Sequence, residues 1–78
     1  MKVDQVKQIL NNAKLDDEGK LLELERMFES DHRREITYYC KSSRVTYSCT
    51  VGESVIDCSV PEDDIQERLN VLEVMIRI

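Results

Sequence analysis

Glycine and proline are nearly absent from this chain: Gly19, Gly52 and Pro61 are the only ones in 78 residues. So few glycines rule out a glycine-rich phosphate loop. Tryptophan is missing altogether, and His32 is the only histidine. It stands in Ser30-Asp31-His32-Arg33-Arg34 with no nucleophile beside it and nothing to orient it as a base. Neither a G-x-S-x-G elbow nor an H-E-x-x-H pair occurs. The sequence lacks a nucleophile, base and oxyanion set, and it is read as non-enzymatic, with no cofactor or metal. No apolar run approaches the ~20 residues of a membrane span, so no membrane partner is expected. The opening M-K-V-D-Q-V-K-Q-I-L-N-N has no apolar core or small-residue cleavage site of a secretory signal, and a cytoplasmic protein is expected. Internal repeats, low-complexity tracts and linkers are also missing, so residues 1–78 are expected to form one small domain.

Three cysteines, Cys40, Cys49 and Cys58, recur every nine residues. Tetrahedral zinc sites draw on close pairs such as C-x2-C, which this spacing does not supply. An odd number without a secretory signal does not suggest a disulfide framework either. The thiols are read as small hydrophobes, all three inert beneath the helices.

What the chain does have is a stretch of strand-forming residues from Ile36 to Val60. Residues 34–40, 44–51 and 54–60 are rich in Val, Ile, Thr and Tyr and alternate with period two. Ser42-Ser43 and Gly52-Glu53 separate them, and Gly52 suits the positive φ at the first position of a tight hairpin turn. Two-residue loops put Lys41 opposite Arg44 and Val51 opposite Ser54. Counting back gives the rows Ile36–Cys49–Ile56, Tyr38–Tyr47–Cys58 and Cys40–Val45–Val60. All are apolar and share one face; the other face carries Thr, Ser and charge and should meet solvent.

The flanks are expected to pack on this meander. Val3, Val6, Ile9, Leu10 and Ala13 share a helical face, with Asn11-Asn12 weakening the last turn. Asp16 to Lys20 reads as a solvated turn. Lys20 to Glu29 fits two templates. Leu21, Leu24 and Phe28 share a helix face; Leu22, Leu24 and Phe28 share a strand face. The strand is preferred, with Ser30-Asp31-His32 as a hairpin loop and Glu29 opposite Arg33, although Arg26 then falls awkwardly beside Ile36. Pro61 is placed at the first position of a C-terminal helix, with Glu62, Asp63 and Asp64 at the positive end of its dipole. Ile65, Leu69, Leu72 and Ile76 would seat that helix on the sheet; the alternative is a final strand over 72–78. Val71, Val74, Met75 and Ile78 lie off the stripe. Four such residues exposed together mark an interaction site, so a homodimer through this helix, or a partner groove that takes it, is expected. The expected fold is α+β and two-layer: a three- to four-stranded antiparallel meander in the order α-β-β-β-β-α, with the N- and C-terminal helices on one face.

Charge supplies the functional reading. Residues 32–44 hold Arg33, Arg34, Lys41 and Arg44 against Glu35, a net of +3; the chain totals −5, so the remainder carries −8. The acid concentrates in Asp16-Asp17-Glu18 and Glu62-Asp63-Asp64. An acidic surface repels nucleic acid and attracts basic proteins. The leading expectation is therefore a protein-binding module that inhibits or modulates a larger protein, with these six residues facing its basic, nucleic-acid-binding surface. In size, acidity and absence of motifs the chain resembles small phage-encoded inhibitors such as anti-CRISPR and anti-restriction proteins. The resemblance implies a virus-encoded protein acting in a host cytoplasm. Two other classes stay open. One is a nucleic-acid-binding domain using Arg33, Arg34, Lys41 and Arg44 with Tyr39 on the open sheet face. The other is a structural or assembly subunit.

Overall fold

A computed structural model describes residues 2–31 and 34–78. Helix α1 spans Lys2–Leu10 and α2 Asp17–Glu29. Strands β1 (Ile36–Lys41), β2 (Arg44–Val51) and β3 (Ser54–Pro61) follow, and α3 (Ile65–Arg77) closes the described chain. The sheet is antiparallel in the order β1-β2-β3.

The register agrees with the expected one at every row. Ile36 faces Cys49 and Cys49 faces Ile56; Tyr38, Tyr47 and Cys58 line up, as do Cys40, Val45 and Val60. Lys41 pairs with Arg44 and Val51 with Ser54, so both connections are two-residue turns. Ser42 and Ser43 both adopt positive φ, 54° and 63°. That is the type I′ geometry whose twist matches antiparallel strands. Gly52 takes φ 61° at the first position of the second turn.

The fourth strand expected over Lys20–Glu29 is instead helix α2. It begins earlier than the apolar pattern suggests. Asp16 is its N-cap, in extended conformation, and its carboxylate accepts a 2.7 Å hydrogen bond from the Gly19 amide. A Cβ on Gly19 would lie 3.1 Å from that same oxygen, so the glycine makes room for the cap. The residues read as a solvated turn are therefore a helix start. High helix propensity of Leu, Glu, Met and Arg outweighs the two-fold alternation here. Leu22, an inward residue of the strand reading, is 53% exposed, and Arg26 is free to approach Glu23 at 3.5 Å. The proposed Glu29–Arg33 pair and the His32 loop tip lie outside the described residues.

Two further boundaries differ. α1 ends at Leu10 rather than Ala13, as the Asn pair leaves the helix and the Asn12 side chain accepts from the Lys14 amide at 2.9 Å. Pro61 is not the first residue of α3 but the last of β3, opposite Arg44. The helix is capped by Asp64, whose carboxylate accepts from the Glu67 amide at 3.2 Å. α3 then runs unbroken to Arg77, and the final strand considered for 72–78 does not form.

One core joins the elements. Val45, Tyr47, Cys49 and Val60 from the sheet are buried against Leu21, Leu24 and Phe28 of α2 and Leu69, Leu72 and Ile76 of α3. α1 contributes Val6, fully buried. Phe28 meets Tyr47 edge-on with ring centroids 5.9 Å apart, and Tyr38 lies 5.7 Å from Tyr47 on the other side. Tyr47 is thus the centre of the sheet's inner face. On the outer face Thr37, Tyr39, Lys41, Asp57 and Ser59 are exposed.

Candidate functional site

The two acidic runs are both helix starts. Asp16 caps α2, with Asp17 and Glu18 in its first turn; Asp64 caps α3, preceded by Glu62 and Asp63. All six side chains are exposed. Carboxylates at these positions satisfy free amides and oppose the positive end of the dipole, so each run stabilises its own helix whatever else it does. No hydrogen bond or ion pair among the described residues joins one run to the other. The second run is the better anchored. The Glu62 amide donates to the Ser43 carbonyl at 2.9 Å, and Arg68 donates to the Glu62 carbonyl at 2.9 Å. The acidic turn is thereby tied to the β1–β2 turn and to α3.

Arg68 belongs to a buried polar network that the sequence reading did not find. Its Nε donates to the Tyr47 hydroxyl at 3.1 Å and its Nη2 to Glu25 Oε2 at 3.0 Å; the Tyr47 hydroxyl donates to the same carboxylate oxygen at 2.9 Å. Glu25 and Arg68 side chains are only 11% and 12% exposed. Burial, reinforced by the hydrogen bond to Glu25, pushes the Tyr47 phenol well above its ordinary range, with the Arg68 guanidinium opposing the shift. A signal for this network exists in the sequence. Glu25 falls on the Leu21–Leu24–Phe28 stripe of α2, and Arg68 on the Ile65–Leu69–Leu72 stripe of α3. Opposite charges on the buried faces of two helices should meet. A second buried pair lies at the α2–β1 connection, where Arg34 Nε and Nη2 both donate to Asp31 Oδ2, at 3.0 and 2.8 Å.

That second pair disperses the basic patch considered for nucleic acid. Arg34 is turned inward onto Asp31, and Arg33 lies outside the described residues. Arg44 is engaged with the Ser59 hydroxyl and carbonyl, both at 3.0 Å. Lys41 and Tyr39 remain exposed on the outer sheet face. The thiols also separate: Cys49 is buried, Cys58 half-buried and Cys40 exposed, all reduced. The expectation that all three lie under the helices is corrected for Cys40. It sits on edge strand β1 beside the Ser42-Ser43 turn, beyond the cover that buries its row-mates Val45 and Val60. Among the described residues no group of three or more metal-ligating side chains forms, and no helix is long and apolar enough to cross a membrane.

The four residues assigned to an oligomer interface divide in two. Val71 and Met75 are in the core, while Val74 is 59% and Ile78 46% exposed. All four line a groove of about 370 Å³ between α3 and edge strand β3, with Ile56 and Cys58 as the opposite wall. Its polar rim is Asp57, Glu67 and Asn70. Compared with known proteins, the chain matches no family model, no curated protein and no solved structure.

Proposed function

We propose that this chain is a small acidic, non-enzymatic protein-binding module that inhibits or modulates a larger protein by covering a basic, nucleic-acid-binding surface, its carboxylates standing in for phosphates. One observation carries the reading. The buried acids, Glu25 and Asp31, each have an arginine partner, Arg68 and Arg34. The interior pairs are neutral, so the whole formal charge of −5 falls outside them, and all six carboxylates of the two acidic runs are exposed. Such a field steers association with a basic partner. The character is that of small phage-encoded inhibitors, which act in a host cytoplasm. The competing nucleic-acid reading keeps only Tyr39 and Lys41 as unengaged candidates among the described residues.

The test is capture from a host lysate by the immobilised chain, with and without nuclease, read by mass spectrometry. The expected catch is a basic nucleic-acid-binding protein that is released by duplex DNA and by salt near 1 M, where the screening length is ~3 Å. A variant with Asp17→Lys, Glu18→Lys, Glu62→Lys and Asp63→Lys, both caps left intact, should capture much less. Equal capture by that variant would assign the acid to solubility alone, and recovery of nucleic acid without protein would favour the open sheet face.

A further inference from the structure

Edge strand β3 has one free side. It pairs with β2 alone, and no other strand among the described residues approaches it. Which groups point outward follows from the hairpin. In a two-residue loop the flanking residues, Val51 and Ser54, exchange both backbone hydrogen bonds, and bonded pairs then alternate along the ladder. Ile56, Cys58 and Val60 therefore bond to β2. Val55, Asp57 and Ser59 direct their amides and carbonyls away from it, and all three are exposed. Pro61 sits in this outward set, where its missing N–H costs no ladder bond. An unprotected edge of this kind is a template for another strand.

Beside this edge lies the apolar groove under Val74 and Ile78. A strand laid against β3 would point alternate side chains into that groove and the others onto the outer face next to Asp57. The charged residues lining the groove, Asp57 and Glu67, are both acidic. Neither forms an ion pair among the described residues; Asp57 accepts only from the Ser48 hydroxyl, at 3.1 Å. No basic residue among the described ones lines the groove. A second copy of this chain would bring one acidic rim against another. A small ligand would find few convergent polar groups to orient it.

We propose that the β3 edge and the β3–α3 groove bind an extended segment of a partner protein as a fourth strand, with apolar residues alternating with lysine or arginine. The apolar side chains enter the groove between Ile56, Val74 and Ile78, and the basic ones meet Asp57 on the outer face. This rests on the protein-binding reading and locates one contact of it. Three outward residues of β3 correspond to a segment of about six residues, ~20 Å of strand.

The probe is a fluorescein-labelled heptapeptide of alternating lysine and valine, titrated with the full chain and read by fluorescence anisotropy. The comparison peptides are a block peptide of the same composition and an alternating glutamate–valine peptide. The expected result is binding of the alternating basic peptide alone, weakened roughly tenfold or more by Val74→Glu and by Asp57→Lys. Val55→Pro should act likewise, because it removes an outward amide and no internal bond. Circular dichroism checks that each variant is folded. Equal binding of the block peptide, or binding indifferent to all three substitutions, would overturn the strand-addition inference. So would a wild type that sediments as a dimer and becomes monomeric in Val55→Pro, since the edge then takes a second copy. If a lysate-captured basic partner still binds a chain carrying Val74→Glu, Asp57→Lys and Val55→Pro together, the inference fails while the protein-binding reading stands.

Discussion

Replacing Arg68 with alanine is the severest single test of how this small fold holds together. The guanidinium makes three contacts: the Tyr47 hydroxyl at 3.1 Å, Glu25 Oε2 at 3.0 Å and the Glu62 carbonyl at 2.9 Å. Removing it leaves the carboxylate of Glu25, a buried residue, with only the Tyr47 hydroxyl to solvate it. Breaking a buried pair from one side costs about 3–5 kcal/mol, because an uncompensated charge remains. The lower end applies here, since each side chain retains about a tenth of its exposure and water can enter the vacated space. A domain of this length has a total stability of roughly 4–12 kcal/mol. Arg68→Ala should therefore lose about 3 kcal/mol, roughly a quarter to three quarters of the total, and unfold at a markedly lower urea concentration.

The same reasoning makes a contrary demand on a combined replacement. Glu25→Leu with Arg68→Met and Tyr47→Phe removes every member of the network and keeps the volume. Apolar substitution of buried ion pairs is often neutral or stabilising by ~1–4 kcal/mol. The triple variant should thus be at least as stable as the wild type, though each charge deletion alone is damaging. Urea unfolding followed by circular dichroism reads both, with a double-mutant cycle of Glu25→Ala and Arg68→Ala. A loss below ~1 kcal/mol for Arg68→Ala, together with a coupling below ~0.5 kcal/mol, would refute the argument that a desolvated pair is at stake.

Three further outcomes are expected. Ser42→Asn with Ser43→Gly should raise stability by about 1–2 kcal/mol, because both residues hold positive φ at a cost that asparagine and glycine largely avoid; a drop in the urea midpoint would show that the serine side chains matter more than the backbone. A thiol reagent should label Cys40 rapidly in the native protein, Cys58 more slowly and Cys49 last; uniform slow labelling would contradict the exposure of Cys40. Burial holds the Tyr47 phenol protonated above pH ~10, where an unfolded tyrosine ionises, so folding stability is intact below that pH and falls above it by up to ~1.4 kcal/mol per pH unit. Tyr47→Phe should show a shallower alkaline decline in urea midpoints, and equal slopes would contradict the shift.

The meander was legible because two independent constraints agree on it. Period-two alternation and two short loops fix every row, and a one-residue slip would turn Tyr47 and Cys49 to water. The ten residues from Lys20 to Glu29 offered no second constraint when read alone. The deciding signal lay upstream, in Asp16 as a cap with Gly19 beneath it. At α3, Asp64-Ile65-Gln66-Glu67 has the spacing of a capping box before an apolar run. Pro61 misled because proline also fits the end of an edge strand. The acidic runs were legible as surface charge but not as caps. The Glu25–Arg68 pair required knowing that both segments are helices before either charge could be seen as inward. Cys40 shows the limit of row logic: sharing a row with buried residues does not bury the edge member.

Self-association is where this difference bears on function. Four apolar residues off the main stripe of α3 suggest a face broad enough for a helix-to-helix dimer. Val71 and Met75 are instead absorbed into the core. Val74 and Ile78 are left, 59% and 46% exposed. Two half-exposed side chains per copy fall far short of the ~1,000 Å² that a stable interface needs. A dimer would have to recruit the β3 edge as well, and there each copy presents Asp57 and Glu67 to the other. Like charges directly opposite are destabilising in a sheet. The chain should therefore sediment as a monomer at ~100 μM, and Val74→Glu should leave its sedimentation unchanged. A wild-type dimer that Val74→Glu dissociates would show that these two residues, with the edge beside them, outweigh the acidic repulsion.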